Sequence, residues 1–383
     1  MGKVTEVPIT PEVLDWAIGE SGYTVTEVAE AAGVDLADLN AWLKGRGRPG
    51  VTAVRSLAQT LRRPVAAFLL PRPPGGNRPD VRFRHMPGVP SRELTPDERR
   101  YIRKAARLQR MIAWLADEMR EPSARLPTAH VDDDPQIVAS AFRDRLGITV
   151  TTQLGWTSSS VGFDAWRSGI EDQGVVVFLL QLGADNCRGF SLWHDKAPVI
   201  AINTAWNDEA RAFTLFHELG HLLTQTNSAC TTAPPQAVSG PWDPAERWCE
   251  RFAAAVLVPE DALRRLIRER VGGRATRITD VATVRWIAGK FRASLRAVTL
   301  RLIELGLANW ELYRALPATG DAKRGGGGGK GRDRQEIQED QLGGRAIALF
   351  RRAIETDVVS RSQALTYLDI PDAALESLGS RRA

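Results

Sequence analysis

The segment FTLFHELGHLL at residues 213–223 is the most informative part of the sequence for the fold. Within it, His217, Glu218 and His221 form the pattern H-E-x-x-H, with two histidines four residues apart. Because an α-helix turns once in about 3.6 residues, this spacing places both imidazoles on one helix face, where they can share a metal ion. The apolar residues on either side predict a buried, rigid helix. The chain holds only 5 histidines, so the pattern does not reflect a histidine-rich composition.

The residue types in this pattern predict one zinc ion. Imidazole nitrogens suit Zn²⁺, and three protein ligands with one open position is the arrangement of a catalytic zinc site. A bound Zn²⁺ lowers the pKa of water towards about 7, so a neighbouring carboxylate can complete its deprotonation. We therefore predict His217 and His221 as ligands and Glu218 as the general base.

The third ligand has to come from elsewhere, and no histidine follows His221. The downstream carboxylates are the candidates: Asp243, Glu246, Glu250, Glu260 and Asp261. The stretch DPAERWCERFAAAVLVP at residues 243–259 predicts one buried helix with Pro244 in its first position. We assign Glu246 as the third ligand, and Glu250, one turn later, as a carboxylate that holds a ligand imidazole.

A small sheet precedes the H-E-x-x-H helix. The apolar run VVVFLLQ at residues 175–181 predicts a buried strand, and residues 188–194 and 199–203 predict two more strands around the turn DKAP. Long helices follow from about residue 208 to 316, so the fold class is α+β and mostly helical. We expect an extended peptide substrate to pair with the strand edge at residues 188–193. An oxyanion donor is also expected, and His194 and Tyr313 are candidates without an assignment.

The first 72 residues predict an all-α helix-turn-helix domain, because Gly33 separates two short helices among five. Its eight basic and eight acidic residues cancel, which is a weak footprint for DNA. Asp35 and Asp38 fall on the predicted recognition helix, where phosphates would lie. The candidate contacts to DNA are therefore in the exit loop, namely Lys44, Arg46 and Arg48. The alternative is a module for protein recognition or dimerisation.

Two later segments carry further positive charge. Residues 78–110 contain ten basic and four acidic residues, and Arg99, Arg103 and Arg107 form a basic stripe at helical spacing. This stripe is either a nucleic-acid contact or a solvated helix face. Residues 283–307 predict a second small helix-turn-helix with a turn near Ser294, or else a subdomain that packs on its neighbours.

The domain prediction combines these features along the chain. It comprises a helix-turn-helix domain (1–72), a linker (73–95), a basic helical connector (96–150), an H-E-x-x-H domain (151–316), a Gly-rich flexible linker (317–340) and a C-terminal helical module (341–383). We expect the C-terminal module to serve as a docking module or as a capping module.

Composition narrows the class of protein. The chain has 383 residues, is 43% hydrophobic and carries a formal net charge of +5, so it can bury a sizeable core. Three cysteines cannot form a disulfide framework, and no apolar run is long enough to cross a membrane. The first residues, MGKVTEVPITPEV, hold no apolar signal segment, so we expect a cytoplasmic protein with no membrane partner.

Four stretches resemble the ImmA/IrrE family of metallopeptidases, in its long form with an N-terminal Xre-type helix-turn-helix. They are RPVAAFLLPRPP with PDVRFR, CRGFSLWHDKAPVIAINTAWNDEARAFTLFHELGHLL, AERWCERFAAAVLVP and FRASLRAVTLRLIELGL. The resemblance implies a zincin-like fold of the gluzincin type. It also implies zinc ligation by His217, His221 and Glu246, with Glu218 as base. Glu250 departs from the family, which usually has Asn there, so the resemblance leaves the role of this position open.

The resemblance also implies a substrate. Family members cleave Xre-type repressors, which lifts repression during DNA damage or mobile-element induction. We therefore expect a zinc endopeptidase that acts on an Xre-family repressor in stress response or in mobile-element or defence regulation. The alternatives are a DNA-binding transcriptional regulator whose metal site is sensory or vestigial, and a defence component with a broader protein target.

Overall fold

The computed structural model describes residues 6–21, 23–61, 63–73, 94–225, 228–230, 244–271, 277–317 and 340–368. These residues divide into two compact units. The first takes in residues up to 73 together with 94–104, and the second takes in the residues from 105 onwards. Asp243 and most of the two predicted linkers lie outside the described residues.

The described elements of the first unit are helices, apart from an isolated β-bridge between Glu6 and Gly50. Its elements are α1 (Pro11–Ser21), α2 (Val25–Ala32), α3 (Leu36–Leu43), α4 (Val51–Thr60), a 3-10 helix (Val65–Leu69) and the first turns of α5 (Pro96–Glu118). Thr24 and Glu27 form a reciprocal capping box at the start of α2, in which each side chain accepts from the other residue's backbone N–H. The core lies between these helices and includes Leu14, Val28 and Leu39. The helix-turn-helix interpretation of α2 and α3 stays a prediction.

The second unit begins with helices and continues into a sheet. Its helices before the sheet are the rest of α5, α6 (Pro135–Leu146), α7 (Val150–Leu154) and α8 (Ser159–Asp172). The strands are β1 (Val176–Leu180), β2 (Gly189–Leu192), β3 (Val199–Asn203) and β4 (Ser228–Cys230). The later helices are α9 (Asp208–Leu223), α10 (Pro244–Leu257), α11 (Glu260–Val271), α12 (Val281–Phe291), α13 (Leu295–Glu304), α14 (Trp310–Arg314), α15 (Gly344–Glu355) and α16 (Arg361–Leu368). None of the described helices is both long enough and apolar enough to span a membrane.

The sheet has the strand order β1-β3-β2-β4. Strands β1 and β3 are parallel, while β2 is antiparallel to both β3 and β4. Phe190 in β2 therefore pairs with Ala201 on one side and with Ala229 on the other. The expectation that an extended substrate pairs with the edge at residues 188–193 is wrong for this structure, because β4 already occupies that edge.

Helix α9 lies between the sheet and two helices. It packs against β2 and β3 on one side and against α8 and α10 on the others. Its Phe216 ring meets Trp166 of α8 edge-on, with ring centroids 5.0 Å apart. Because side chains of α9 are buried on all sides, the helix is held rigidly, as a metal site requires.

The remaining helices close the core of the second unit. The predicted turn near Ser294 is present, with Ser294 as the N-cap of α13. Helix α13 packs on α10, and its buried Arg301 donates to the Val258 carbonyl and to Gln136. This burial favours the packing interpretation of residues 283–307.

Helix α15, which follows the Gly-rich segment, packs on α8 and β1 through buried polar side chains. Arg167 of α8 donates to the carbonyls of Val177 and Asp340, each at 2.7 Å. Glu171 accepts from the Gly344 N–H at 3.2 Å. The chain after the Gly-rich segment is thus anchored to the second unit.

Candidate metal centre

Helix α9 brings the two predicted histidine ligands together. Its N-cap is Asn207, whose side chain accepts from the Ala210 N–H at 2.9 Å. Two turns further on, His217 and His221 face the same side, with their Nε2 atoms 3.2 Å apart. Both imidazoles are buried. The i, i+4 spacing therefore produces the shared face predicted from the sequence.

Helix α10 supplies the carboxylate. Pro244 opens this helix, which leaves Glu246 in the first turn. Its Oε2 lies 3.2 Å from His217 Nε2, and its Oε1 lies 3.4 Å from His221 Nε2. One carboxylate thus reaches both imidazoles across the interface between α9 and α10.

These three residues have the donor set of a catalytic zinc site. Among the described residues, His217, His221 and Glu246 form the group able to hold a metal ion, with one ligand atom from each within 4.8 Å of the others. Two imidazole nitrogens and one carboxylate oxygen leave a fourth position open on tetrahedral Zn²⁺. The residues therefore fit a metal ion, and their ligand role stays a prediction.

Without a metal, His217 and Glu246 form an ion pair at this site. Burial lowers the pKa of His217. Its hydrogen bond to Glu246 and the negative charges of Glu246, Glu218 and Glu250 raise this pKa by more than burial lowers it, so the result is about 9. For Glu246, burial raises the pKa, but the two imidazoles lower it well below its usual range. A metal ion would take the place of the proton on His217.

Glu250 lies beside this site but is not held in the same way. Burial raises the pKa of Glu250 to about 7, with the charge of Glu246 in the same direction and that of His217 opposing it. Its negative charge in turn raises the pKa of His217. The influence of Glu250 on His217 is thus electrostatic, and the contact of Glu250 with a ligand imidazole stays a prediction.

Glu218 is fully buried and faces strand β2. A Cβ atom added at Gly189 would lie 2.6 Å from Thr214 Cγ2, 2.8 Å from the Ala201 carbonyl oxygen and 3.4 Å from Glu218 Cγ. Only glycine permits this approach of β2 to α9, so Gly189 shapes the space around the predicted base. Gly189 is not among the residues predicted from the sequence, although a glycine inside a predicted strand is a known signal of close backbone approach.

The two candidates for an oxyanion donor have contacts of their own. His194 Nδ1 accepts from the backbone N–H groups of Lys196 and Ala197, at 3.1 and 3.4 Å, within the turn between β2 and β3. Tyr313 packs against Trp310, with ring centroids 5.6 Å apart. The contacts of His194 lie within a turn, and the contact of Tyr313 lies within helix α14. The oxyanion donor therefore stays unassigned.

The candidate nucleic-acid contacts do not share one environment. Lys44, Arg46 and Arg48 are exposed in the loop after α3, and Arg107 is exposed on α5. Arg99 donates to the Gly19 carbonyl at 3.1 Å, and Arg103 donates to the Glu20 carbonyl, so both cap the last turn of α1. Burial lowers the pKa of Arg103 to about 10, with the charge of Arg63 in the same direction and that of Glu20 opposing it.

The N-terminus of α3 is already occupied. Asp35 Oδ1 accepts from the backbone N–H groups of Ala37 and Asp38, at 2.7 and 3.4 Å. A DNA phosphate at a recognition helix would use these same N–H groups. The position is therefore filled by a carboxylate of the chain itself, and DNA binding by this region stays a prediction.

Comparison with known proteins identifies one domain. Residues 170–302 match the model of the IrrE N-terminal-like domain, the peptidase family M78. The match runs from the end of α8 to α13 and includes the H-E-x-x-H helix and Glu246. No curated protein and no solved structure matches the chain. Residues 170–302 are thus a metallopeptidase domain of the ImmA/IrrE family.

Proposed function

We propose that this protein is a zinc-dependent endopeptidase that cleaves a protein regulator. The observation that carries the proposal is the convergence of His217, His221 and Glu246 next to the buried Glu218. A purely structural zinc site has four protein ligands and needs no base. Three converging ligands followed in sequence by a carboxylate are what a hydrolytic site needs.

The side chains divide the chemistry between them. Zinc held by the three ligands would act as a Lewis acid on the scissile carbonyl and make water more acidic. Glu218 takes the proton from the attacking water and passes it to the leaving amine nitrogen. Because Glu218 is shielded from solvent, its carboxylate keeps its orientation and bulk water does not compete for the proton.

The proposed substrate is an Xre-type repressor, and the proposed role is stress response or mobile-element or defence regulation. The resemblance to the ImmA/IrrE family supports this substrate class. We place the reaction in the cytoplasm, where such a repressor would meet the enzyme.

The test compares the wild-type protein with Glu218→Gln, which keeps the size of the side chain and removes its basicity. Each protein is loaded with zinc, its metal content is measured, and it is incubated with candidate Xre-type repressors. Mass spectrometry then locates any cleaved bond.

We expect cleavage at a defined peptide bond by the wild type. We expect a loss of at least about a hundredfold in rate for Glu218→Gln, in keeping with the usual contribution of a general base. Both proteins are expected to hold about one zinc ion. Equal cleavage by the two proteins, or a wild type that binds zinc and cleaves none of the repressors, would contradict the proposal.

A further inference from the structure

Helices α9 and α10 are in close contact at Gly220. A Cβ atom added at Gly220 would lie 2.9 Å from Cys249 Sγ, 3.1 Å from Cys249 Cβ and 3.2 Å from Cys249 Cα. Ordinary carbon contacts are about 3.5–4.0 Å. The Sγ atom can rotate away, but the Cα and Cβ atoms belong to the framework of α10. A side chain at position 220 would therefore push the two helices apart by several tenths of an ångström.

This contact point lies among the metal ligands. Gly220 follows His217 by three residues and directly precedes His221, so it lies within one turn of both imidazoles on α9. Cys249 follows Glu246 by three residues, so it lies within one turn of the carboxylate on α10. Any change in helix separation at this point is transmitted to the distances from Glu246 to His217 and to His221, which are 3.2 and 3.4 Å.

We propose that Gly220 is a positioning residue of the metal centre, which sets the separation of α9 and α10 so that Glu246 completes the ligand set. This inference rests on the proposed zinc site. Zinc sites tolerate ligand distances only within about 0.2 Å of ideal values. The displacement required by a methyl group at position 220 exceeds this tolerance, whereas the two histidines stay together because they lie on the same helix.

Helix propensity makes the opposite prediction for the same substitution. Alanine is a better helix former than glycine, so Gly220→Ala should stabilise α9 if nothing but α9 itself matters. Weaker zinc binding by this variant would consequently report the packing between helices. A matched control is available in Gly289 of α12, where an added Cβ meets no atom within 4 Å.

The experiment measures zinc affinity of the full-length chain by competition with a chromophoric chelator, a readout that does not depend on proteolysis. The proteins are the wild type, Gly220→Ala, Gly289→Ala, and the double variant Gly220→Ala with Cys249→Gly. The double variant moves the glycine from α9 to α10 and removes both Sγ and Cβ of the opposing residue. Circular dichroism checks that each protein is folded at the assay temperature.

We expect Gly220→Ala to weaken zinc binding by about ten- to a hundredfold, the range for residues that orient metal ligands. Gly289→Ala should bind as the wild type does, and the double variant should recover most of the loss. Wild-type affinity in folded Gly220→Ala, or a double variant no better than the single one, would overturn the inference. If Gly220→Ala does not fold, Cys249→Val adds bulk from the α10 side, and wild-type affinity in that variant would also overturn it.

The same assay separates this inference from the proposed function. A wild-type chain that binds no zinc would overturn both. A wild-type chain that binds zinc with an affinity insensitive to position 220 would overturn the inference alone.

Discussion

Helix α9 in the second unit and helix α3 in the first unit are built by similar local rules but use their polar residues differently. Each helix begins after a capping side chain, Asn207 for α9 and Asp35 for α3. In α9 the polar side chains His217 and His221 are buried and meet the carboxylate of Glu246, which follows His217 by 29 residues in sequence. In α3 the carboxylates of Asp35 and Asp38 are exposed, and the cap bonds reach only two and three residues along the chain.

The difference between α9 and α3 indicates that reactive groups in this molecule are to be expected where titratable side chains are buried. Burying a titratable group costs free energy unless another group compensates for it. Where the compensation comes from a distant segment, as it does for the two histidines, the fold holds the groups in one arrangement. An exposed carboxylate such as Asp35 has no such cost to offset, and its side chain serves its own helix.

The largest expected effect comes from changing Glu246, the carboxylate that α10 contributes to the site on α9. Glu246→Gln replaces the predicted anionic ligand with a neutral amide of the same size, so we expect zinc affinity to fall by more than about a hundredfold, beyond the usual effect of residues that only orient ligands. Competition with a chromophoric chelator measures the change. Glu260→Gln is the control, because Glu260 forms its ion pair with Arg264 on α11. Equal losses for both variants would contradict the ligand role of Glu246.

An intermediate effect concerns pH in the metal-free protein. The pKa of His217 is raised to about 9, above its unfolded value of about 6.5, so its contribution to stability is complete below pH ~6.5 and is lost as pH rises through 9. The pKa of Glu250 is raised to about 7, so its contribution is lost as pH rises from ~4.5 through 7, in the same direction. We expect the free energy of unfolding in chelator to fall by on the order of 4 kcal/mol between pH 6 and 9.5, with most of the change from His217.

Urea unfolding at the two pH values measures this change. Glu246→Gln is the control, because it removes the main cause of the raised pKa of His217 and should flatten the pH dependence. With saturating zinc the dependence should weaken or reverse, because zinc binding releases the proton from the imidazole. An unchanged slope in Glu246→Gln would show that other groups are responsible.

The smallest effect concerns α3. Asp35→Ala removes the side chain that accepts from the first N–H groups of the helix, which usually costs about 1 kcal/mol. We expect faster amide hydrogen exchange within α3 and no change in zinc affinity. Asp38→Ala is the control, since Asp38 lies in the first turn but does not accept the cap bonds. A change in zinc affinity in Asp35→Ala would contradict the local role given to this carboxylate.

Much of the site was predictable because it is local in sequence. The pairing of His217 with His221 depends only on helical geometry, and the helix itself is predicted by the apolar residues of FTLFHELGHLL. The start of α10 at Pro244 was also predictable, since proline suits the first position of a helix. In the same way, Thr24, Asp35 and Ser294 act as caps because capping depends on a few neighbouring residues.

The sheet was predictable only in part. The strands β1, β2 and β3 follow from their apolar and β-branched residues. The pairing of β4 with β2 does not follow from any local pattern, because three residues carry too little periodicity to define a strand. For this reason the sequence predicts β2 as the edge of the sheet, whereas β4 lies outside β2 in the structure.

The sequence alone places two imidazoles and a carboxylate on one helix, and their donor atoms predict zinc as the metal. Only the tertiary structure brought Glu246 to both imidazoles, set Gly189 against Glu218 and Gly220 against Cys249, and used Arg99 and Arg103 to cap α1. The physical reason is the sequence distance between the residues that interact. Spacing within a helix depends on bonds between near neighbours, whereas the distance between helices depends on the packing of side chains that are far apart in sequence.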